Sequence, residues 1–126
     1  MEFSQEKPIY LQIVDWMGDK ILREEWRGEE RIPSVRDVAM LLQVNPNTAM
    51  RAYDALQSEG VIYNKRGIGY FVSPDARDRI LVRGRREFTA GVLPGIFRRM
   101  ALLGLGMDDI KKEYERFKNN EDEDKH

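Results

Sequence analysis

The sequence contains no cysteine and only one histidine, His126, which is its last residue. The absence of thiols excludes disulfide bonds, thiolate catalysis and sulfur-rich metal sites, and it is typical of proteins in a reducing cytosol. A histidine at the chain terminus cannot anchor a catalytic pair, and no spacing of nucleophile and base or of metal ligands stands out. We therefore predict that the protein is not an enzyme and holds neither a metal ion nor a cofactor.

Long apolar runs are also absent. No stretch approaches the roughly 18 apolar residues that a membrane-spanning helix needs, and the first residues lack the basic-then-apolar pattern of a signal peptide. Of the 126 residues, 41% are hydrophobic and 34% charged, which is the composition of a soluble globular protein. We predict a cytoplasmic protein without a membrane partner, built as one small domain with an appended segment.

The net charge of −1 conceals an uneven distribution of charge along the chain. Residues 31–90 hold ten Lys or Arg against six Asp or Glu, a local excess of four positive charges. The compensating acid lies mostly in the first 30 residues and in the run 121–124. Because phosphates respond to a local patch and not to the sum, the composition is compatible with nucleic-acid binding.

The first half of the chain predicts three helices. Pro8 opens the first, whose apolar residues recur with helical spacing and are expected to form core. Ser34 followed by Asp37 predicts a capping box at the start of the second helix. Asn45 caps the third, with Pro46 at its first position, where a missing N–H costs nothing. The third helix is expected to bury Ala49, Ala52, Tyr53 and Leu56 and to expose Asn47, Met50, Arg51 and Asp54.

Two short apolar runs follow, at 61–63 and 70–72, joined by the segment 65–69. The joining segment contains two glycines and two cations, which is typical of a β-hairpin with a basic tip. Residues 31–32 are expected to add a short strand to this hairpin. The predicted fold class is therefore mainly α with a small β-wing, a winged helix-turn-helix.

Several spaced motifs in this region resemble the GntR family of bacterial transcription regulators. They are P-S-V-R-D-V-A at 33–39, V-N-P-N-T at 44–48, R-A-Y at 51–53, and E-G-V-I-Y-N-K-R-G-I-G-Y-F-V at 59–72, with K-P-I-Y-L-Q-I at 7–13 extending the match. The N-P-N-T turn and the short C-terminal part resemble the YtrA-like branch. The family usually has glycine where this chain has Gln43, in the turn between the second and third helices. Because a non-glycine residue at positive φ is uncommon and mildly strained, this turn is expected to be shaped slightly differently, with a changed angle of the third helix.

The resemblance implies a homodimeric regulator that binds double-stranded DNA at a pseudo-palindromic operator. Repression is the family's most frequent mode of action, and YtrA-like relatives commonly govern transporter operons. The predicted DNA-binding residues are Ser34, Arg36, Asn45, Asn47, Thr48, Arg51, Lys65, Arg66 and Gly67. The contact of Arg36 is implied by the family's P-x-x-R position.

The other expected contacts follow from side-chain chemistry. Asn47 and Thr48 have short hydrogen-bonding side chains suited to base edges or phosphates, whereas capping alone would explain Asn45. Arg51 should reach a phosphate, or instead pair with Asp54 or Asp37. The wing cations would lie near the DNA backbone or the minor groove, with Gly67 allowing close approach, although basic turn residues are often merely solvated.

The C-terminal part predicts helices with one apolar face, interrupted near Pro94. Phe88, Val92, Ile96, Met100 and Leu103 share that face. Asp108 and Asp109 are expected to start a last helix. A segment this small buries little surface alone, so a second copy is expected to cover it. The predicted organisation is a DNA-binding domain at 1–74, a helical dimerisation segment at 75–118, and an acidic, disordered tail at 119–126.

One alternative function stays open at this stage. A winged helix can bind a protein instead of DNA, because a fold does not fix a function. The polar start of the third helix and the basic tip of the hairpin disfavour protein binding, because a protein-docking face should be more apolar. The sequence leaves the operator, the regulated genes and any small-molecule effector undetermined.

Overall fold

The computed structural model describes residue 3 and residues 6–124. Within them, helices and a two-stranded sheet follow one another in the order α1 (Ile9–Leu22), α2 (Val35–Leu42), α3 (Pro46–Ser58), β1 (Ile62–Lys65), β2 (Gly69–Val72), α4 (Ala76–Glu87), α5 (Leu93–Leu103) and α6 (Met107–Asp124). The predicted fold class, mainly α with a small β-wing, is confirmed. The chain divides into two units, Met1–Gly84 and Arg85–His126.

The first unit is built around the buried stripe of α1. Helix α1 follows Pro8, whose carbonyl accepts hydrogen bonds from the N–H groups of Leu11 and Gln12. Apolar residues at helical spacing turn inward and meet α2, α3 and the wing in one core. The core residues contributed by α1 are Ile13, Val14, Met17 and Ile21.

Helix α2 begins with the predicted capping box. The Ser34 hydroxyl oxygen accepts from the N–H of Asp37 at 3.0 Å, and the Asp37 carboxylate accepts from the N–H of Ser34 at 3.3 Å. The helix ends at Gln43, which has φ 56° and ψ 50°. Gln43 therefore takes the left-handed conformation itself, and it turns the chain into α3 without the freedom that glycine provides.

Helix α3 buries one face in the core and exposes the other. Asn45 caps it through its side-chain oxygen, which accepts from the N–H of Asn47 at 2.8 Å. Gly60 follows its end at φ 77°, a conformation that suits a residue without Cβ. Its inner face consists of Ala49, Ala52, Tyr53 and Leu56, each 0% exposed.

The wing pairs β1 with β2 in antiparallel register from Ile62↔Val72 to Lys65↔Gly69. The expected third strand is present as a single bridge between Arg31 and Phe71. Two backbone hydrogen bonds flank that bridge and join the segment before α2 to the wing. The wing is therefore tied directly to the start of the helix-turn-helix.

The first unit extends beyond the predicted domain boundary at 74. Ala76 and Ile80 on α4 are buried in the core of the winged unit. Their spacing of four residues places both on one face of the helix. The compact unit accordingly continues to Gly84.

The expected interruption near Pro94 takes the form of a π-helical segment, Phe88–Val92, and the helix does not end there. The N–H of Leu93 bonds to the carbonyl of Phe88, five residues back. Proline removes one N–H and crowds the carbonyl four residues before it, and the wider π turn accommodates both effects. Helix α5 then closes at Gly104, which has φ 69°.

The prediction of a disordered tail at 119–126 is wrong for residues 119–124. Helix α6 continues through Asp124, while residues 125 and 126 lie outside the described part. Extending a helix that has already nucleated fixes one residue per hydrogen bond, so charged residues can prolong it. Asp109 supports the start of α6 by accepting from the N–H of Gly106 at 2.9 Å.

No single helix in the described residues is long and apolar enough to span a membrane. By length and composition alone, the pair Ala76–Leu103 and Met107–Asp124 reaches the same threshold, and it is bent by 114° at its break. Across the described positions, no group of three or more His, Cys, Asp or Glu side chains could hold a metal ion.

Candidate nucleic-acid interface

The outer face of α3 carries the polar residues predicted to meet DNA. Asn47 and Arg51 are exposed, one helical turn apart, whereas Thr48 is half-buried. They project outward because the residues on the opposite face of α3 are buried in the core. Asn47 and Thr48 lie at the N-terminus of α3, which is the positive end of the helix macrodipole and favours an approaching phosphate.

Two of the predicted contact residues also serve as helix caps. The side-chain oxygens of Ser34 and Asn45 accept backbone N–H groups at the starts of α2 and α3. Each side chain keeps a donor, the hydroxyl proton of Ser34 and the amide NH₂ of Asn45. Both residues can therefore donate to a phosphate while they continue to cap.

Arg51 is held by an aromatic ring of α1. Its guanidinium carbon lies 4.1 Å from the centroid of the Tyr10 ring, a cation–π contact worth about 0.5–1 kcal/mol at an exposed site. Within the described residues it has no ion pair with Asp54 or Asp37, the alternative that the sequence left open. The N–H edge of the guanidinium remains available for an acceptor.

Arg36 stands in the first turn of α2 and is exposed. Its neighbours Val38 and Ala39 are buried, so the arginine projects from the opposite side of the helix. No carboxylate in the described part of the chain lies within ion-pair distance of it.

One cation of the wing, Lys65, lies against two aromatic rings. The Lys65 ammonium lies 4.5 Å from the Phe71 ring centroid and 6.0 Å from that of Tyr63, and these two rings stack at 5.8 Å. The Tyr63 hydroxyl donates to the Glu29 carboxylate at 2.6 Å, which raises the pKa of Tyr63. Arg66 is exposed at the tip, next to Gly67 at φ 79°.

Sequence reasoning missed one cation beside the wing. Arg31 is exposed and bridges to Phe71, and its guanidinium packs against the backbone of Gly69. A Cβ at Gly69 would lie 2.9 Å from Arg31 Nε, so the glycine makes room for this side chain. The expected strand at 31–32 placed the backbone of Arg31 correctly, but the strand pattern could not show where its side chain goes.

Several of the counted cations are engaged elsewhere. Arg79 pairs with Asp75 at 2.8 Å and also donates to the carbonyl of Glu59, and Arg83 pairs with the Glu59 carboxylate. Asp75 and Glu59 belong to the six acids already counted, so these pairs leave the local excess of four unchanged and show which cations are already paired. Among the described residues, no carboxylate pairs with the cations near α3 and the wing, namely Arg31, Arg36, Arg51, Lys65 and Arg66.

A buried tyrosine fixes the two helices and the wing to one another. The Tyr53 hydroxyl donates to the carbonyl of Pro33 at 2.5 Å, and its ring meets Tyr70 edge-on with centroids 4.9 Å apart. Burial raises the pKa of Tyr53, and Asp37 and Tyr70 raise it further. The hydroxyl therefore stays protonated and keeps donating.

Comparisons with known proteins agree with this architecture. The family model described as bacterial regulatory proteins, gntR family, matches residues 9–72. The uncharacterized HTH-type transcriptional regulator YhcF of Bacillus subtilis is 35% identical over 109 residues, covering 86% of this chain and 88% of YhcF. The HTH-type transcriptional repressor YtrA of Bacillus subtilis is 38% identical over 78 residues, covering 62% of this chain and 59% of YtrA.

A crystal structure of a GntR-family transcriptional regulator from Bacteroides thetaiotaomicron superposes with a TM-score of 0.75 at 42% identity, covering 90% of this chain and 98% of that chain. The matched proteins are transcriptional regulators, which supports the prediction that this protein is not an enzyme. The winged helix-turn-helix geometry and these similarities lead to one conclusion. The chain belongs to the GntR family of bacterial transcriptional regulators and is a DNA-binding protein.

Proposed function

We propose that this protein is a homodimeric repressor that reads a pseudo-palindromic operator with α3 and the wing of each protomer. The observation that carries the proposal is the set of exposed cations around α3 and the wing that have no carboxylate partner in the described residues. Electrostatic free energy favours phosphates next to such a surface. The molecule would act in the cytoplasm, where its DNA target lies.

The residues divide into two roles. Asn47 and Thr48, at the first turn of α3, contact base edges in the major groove, where an amide can pair bidentately with adenine. Arg36 and Arg51 bind phosphates on either side, joined by the remaining donors of Ser34 and Asn45. Lys65 and Arg66 lie against the backbone or minor groove beside the wing, and Gly67 lets the chain approach closely.

The second unit supplies the dimer interface in this proposal, as expected for residues 75–118. Among the described residues of this unit, Met100 is the only buried large apolar side chain, at 9% exposed. Ten others are between 41% and 78% exposed, which are Phe88, Val92, Ile96, Phe97, Leu102, Leu103, Leu105, Met107, Tyr114 and Phe117. A face of this kind on a helical segment is typical of an association surface.

A rough energy supports a second copy as the partner. Burying a half-exposed large apolar side chain contributes about 1 kcal/mol. Ten such side chains from each protomer would outweigh an association penalty of about 4–15 kcal/mol. Two-fold symmetry of the protein then requires two-fold symmetry of the operator.

Repression is inferred from the relatives. YtrA of Bacillus subtilis is a transcriptional repressor, and a bound dimer can act as one by excluding RNA polymerase from a promoter. A transporter operon is the proposed target, from the resemblance to the YtrA-like branch. The first unit, Met1–Gly84, would hold the operator while the helical segment keeps the two copies together.

Selection of bound duplexes from fragments of the source genome tests the proposal. If three to four cations of each protomer contact phosphates, the logarithm of the binding constant should fall with the logarithm of salt concentration with a slope of about −5 to −7. Asn47→Ala should relax base preference, whereas Arg66→Ala should weaken binding to every sequence. Because a homodimer loses one phosphate contact in each protomer, Arg66→Ala should also reduce the steepness of the slope by about two. Arg23→Ala, which removes an exposed cation at the end of α1, serves as the control.

The opposite outcomes are equally clear. No enriched duplex at low salt would favour a winged helix that docks a protein. Equal, sequence-independent losses from Asn47→Ala and Arg66→Ala would overturn the assignment of roles. Sedimentation as a monomer at micromolar concentration would overturn the dimer.

A further inference from the structure

An apolar residue, Ile68, lies at the tip of the wing and does not pack in the core of the first unit. Ile68 is 55% exposed and stands between Gly67 and Gly69. Its N–H donates to the carbonyl of Lys65 at 2.9 Å, which closes the turn. The side chain is absent from the hydrophobic core cluster of the described residues.

The surroundings of Ile68 are cationic and unobstructed. Lys65 and Arg66 precede it, and the guanidinium of Arg31 lies against the backbone of Gly69. Both flanking glycines have positive φ, 79° and 146°, and a Cβ built at Gly67 would meet nothing within 4 Å. The turn thus presents Ile68 between two residues that have no side chain, close to positive charges that attract phosphates.

Groove chemistry indicates what such a side chain can distinguish. In the minor groove, a G·C pair carries the 2-amino donor of guanine, whereas an A·T pair presents only acceptors. An apolar side chain that covers the 2-amino group removes its water and offers no acceptor in return. A·T tracts also have a narrower, more negative minor groove, which suits the neighbouring Arg66.

We propose that Ile68 is a specificity-determining residue that reads the minor groove beside the wing and selects base pairs without a 2-amino group. The inference rests on the proposed function, since it requires the wing to lie beside DNA. It goes beyond that function because the preference would arise at base pairs that α3 does not touch.

Modified bases isolate this contact from the major groove. In the best duplex obtained by selection, adenines beside the wing are replaced by 2,6-diaminopurine, which adds a minor-groove amino group and leaves the major-groove edge unchanged. Wild-type affinity should fall about tenfold per modified pair, within the usual range for one unfavourable base pair. In a second duplex that carries guanine at those positions, replacing the guanine with inosine should raise affinity by a similar factor.

Two variants separate Ile68 from the rest of the wing. Ile68→Asn, whose amide oxygen can accept from an amino group, should bind the diaminopurine duplex as well as the unmodified one. Ile68→Ala should reduce the discrimination to about threefold or less, because fewer apolar atoms cover the groove floor. The control is Val82→Ala on α4, where the side chain is 56% exposed, and it should keep the wild-type ratio.

The two hypotheses fail in different ways. If a duplex is selected and Ile68→Asn discriminates against diaminopurine as strongly as the wild type, the role of Ile68 is overturned and the regulator function stands. If no duplex is selected by the wild-type protein, the proposed function itself fails. Because Ile68 is exposed at a turn, unchanged melting temperatures of the variants will show that folding is not the cause of any loss.

Discussion

The hydroxyl of Tyr53 should make the stability of the first unit depend on pH in the alkaline range. This side chain is fully buried and donates to the carbonyl of Pro33. In Tyr53→Phe that half-buried carbonyl loses its donor and is only partly rehydrated, so the free energy of unfolding at pH 7 should fall by about 1–2 kcal/mol. For a unit of this size, the loss corresponds to a decrease in Tm of roughly 5–15 °C.

The pH dependence follows from the raised pKa of Tyr53 in the folded state. Below the ordinary tyrosine pKa of about 10, both folded and unfolded chains carry the proton, and the full stability is present. Above it, the unfolded chain loses the proton while the folded chain retains it. Wild-type stability should therefore decline by about 1.4 kcal/mol per pH unit from this residue, and the decline ends only at the folded pKa.

Urea denaturation at pH 7, 9, 10, 10.5 and 11, followed by circular dichroism, measures both effects. The Tyr53→Phe curve should lie below that of the wild type at pH 7 and should lose less stability above pH 10, so that the two curves converge. Tyr114→Phe on α6, where the ring is 59% exposed, is the control and should follow the wild type. Parallel declines of the wild type and Tyr53→Phe above pH 10 would refute the reasoning.

Three further outcomes follow from single contacts. Gln43→Gly removes a side chain from left-handed backbone and should raise the free energy of unfolding by about 0.5–1 kcal/mol in urea titrations, whereas Gln43→Ala should not. Tyr10→Leu keeps an apolar side chain on α1 but releases Arg51, and DNA affinity in gel shifts should fall about two- to fivefold with unchanged base preference. Phe97→Lys, at a position 48% exposed, should raise the dimer dissociation constant at least a hundredfold in sedimentation velocity while leaving the melting of the winged unit unchanged. A dimer that persists in Phe97→Lys would argue against α5 as part of the interface.

The features that local chemistry decides were predictable from the sequence. The caps at Ser34 and Asn45 depend on residues two or three positions away, and both are present as expected. The left-handed backbone at Gln43 was not predicted, because comparison with the family's glycine suggested a differently shaped turn. The helical spacing in α3 also identified its inner face correctly, because residues three or four positions apart lie on the same side of an α-helix.

The features that depend on distant contacts were not predictable in this way. Arg51 and Tyr10 are far apart in sequence, so helix-face arguments offered only Asp54 or Asp37 as partners. The first turns of α4 join the core of the winged unit through tertiary packing, which a boundary placed at Pro74 ignores. The end of α6 was mispredicted because the acidic composition of residues 119–124 suggested disorder. An existing helix can nevertheless be extended at low cost through charged residues.

The roles of the site residues remain predictions of a different kind. The structure places Arg36, Asn47 and Lys65 at exposed positions. Their assignment to bases or phosphates rests on side-chain chemistry, since amides can pair with base edges and cations bind phosphates. The binding measurements on Asn47 and Arg66 variants decide between these roles.

The rings beneath Arg51 and Lys65 have a consequence for the speed of DNA recognition. An aromatic face restrains a cation without cancelling its charge, whereas a carboxylate would do both. Much of the rotamer entropy is thus lost before the nucleic acid arrives, and no ion pair has to be broken on contact. Association should accordingly be limited by diffusion and electrostatic steering, with little delay from side-chain rearrangement.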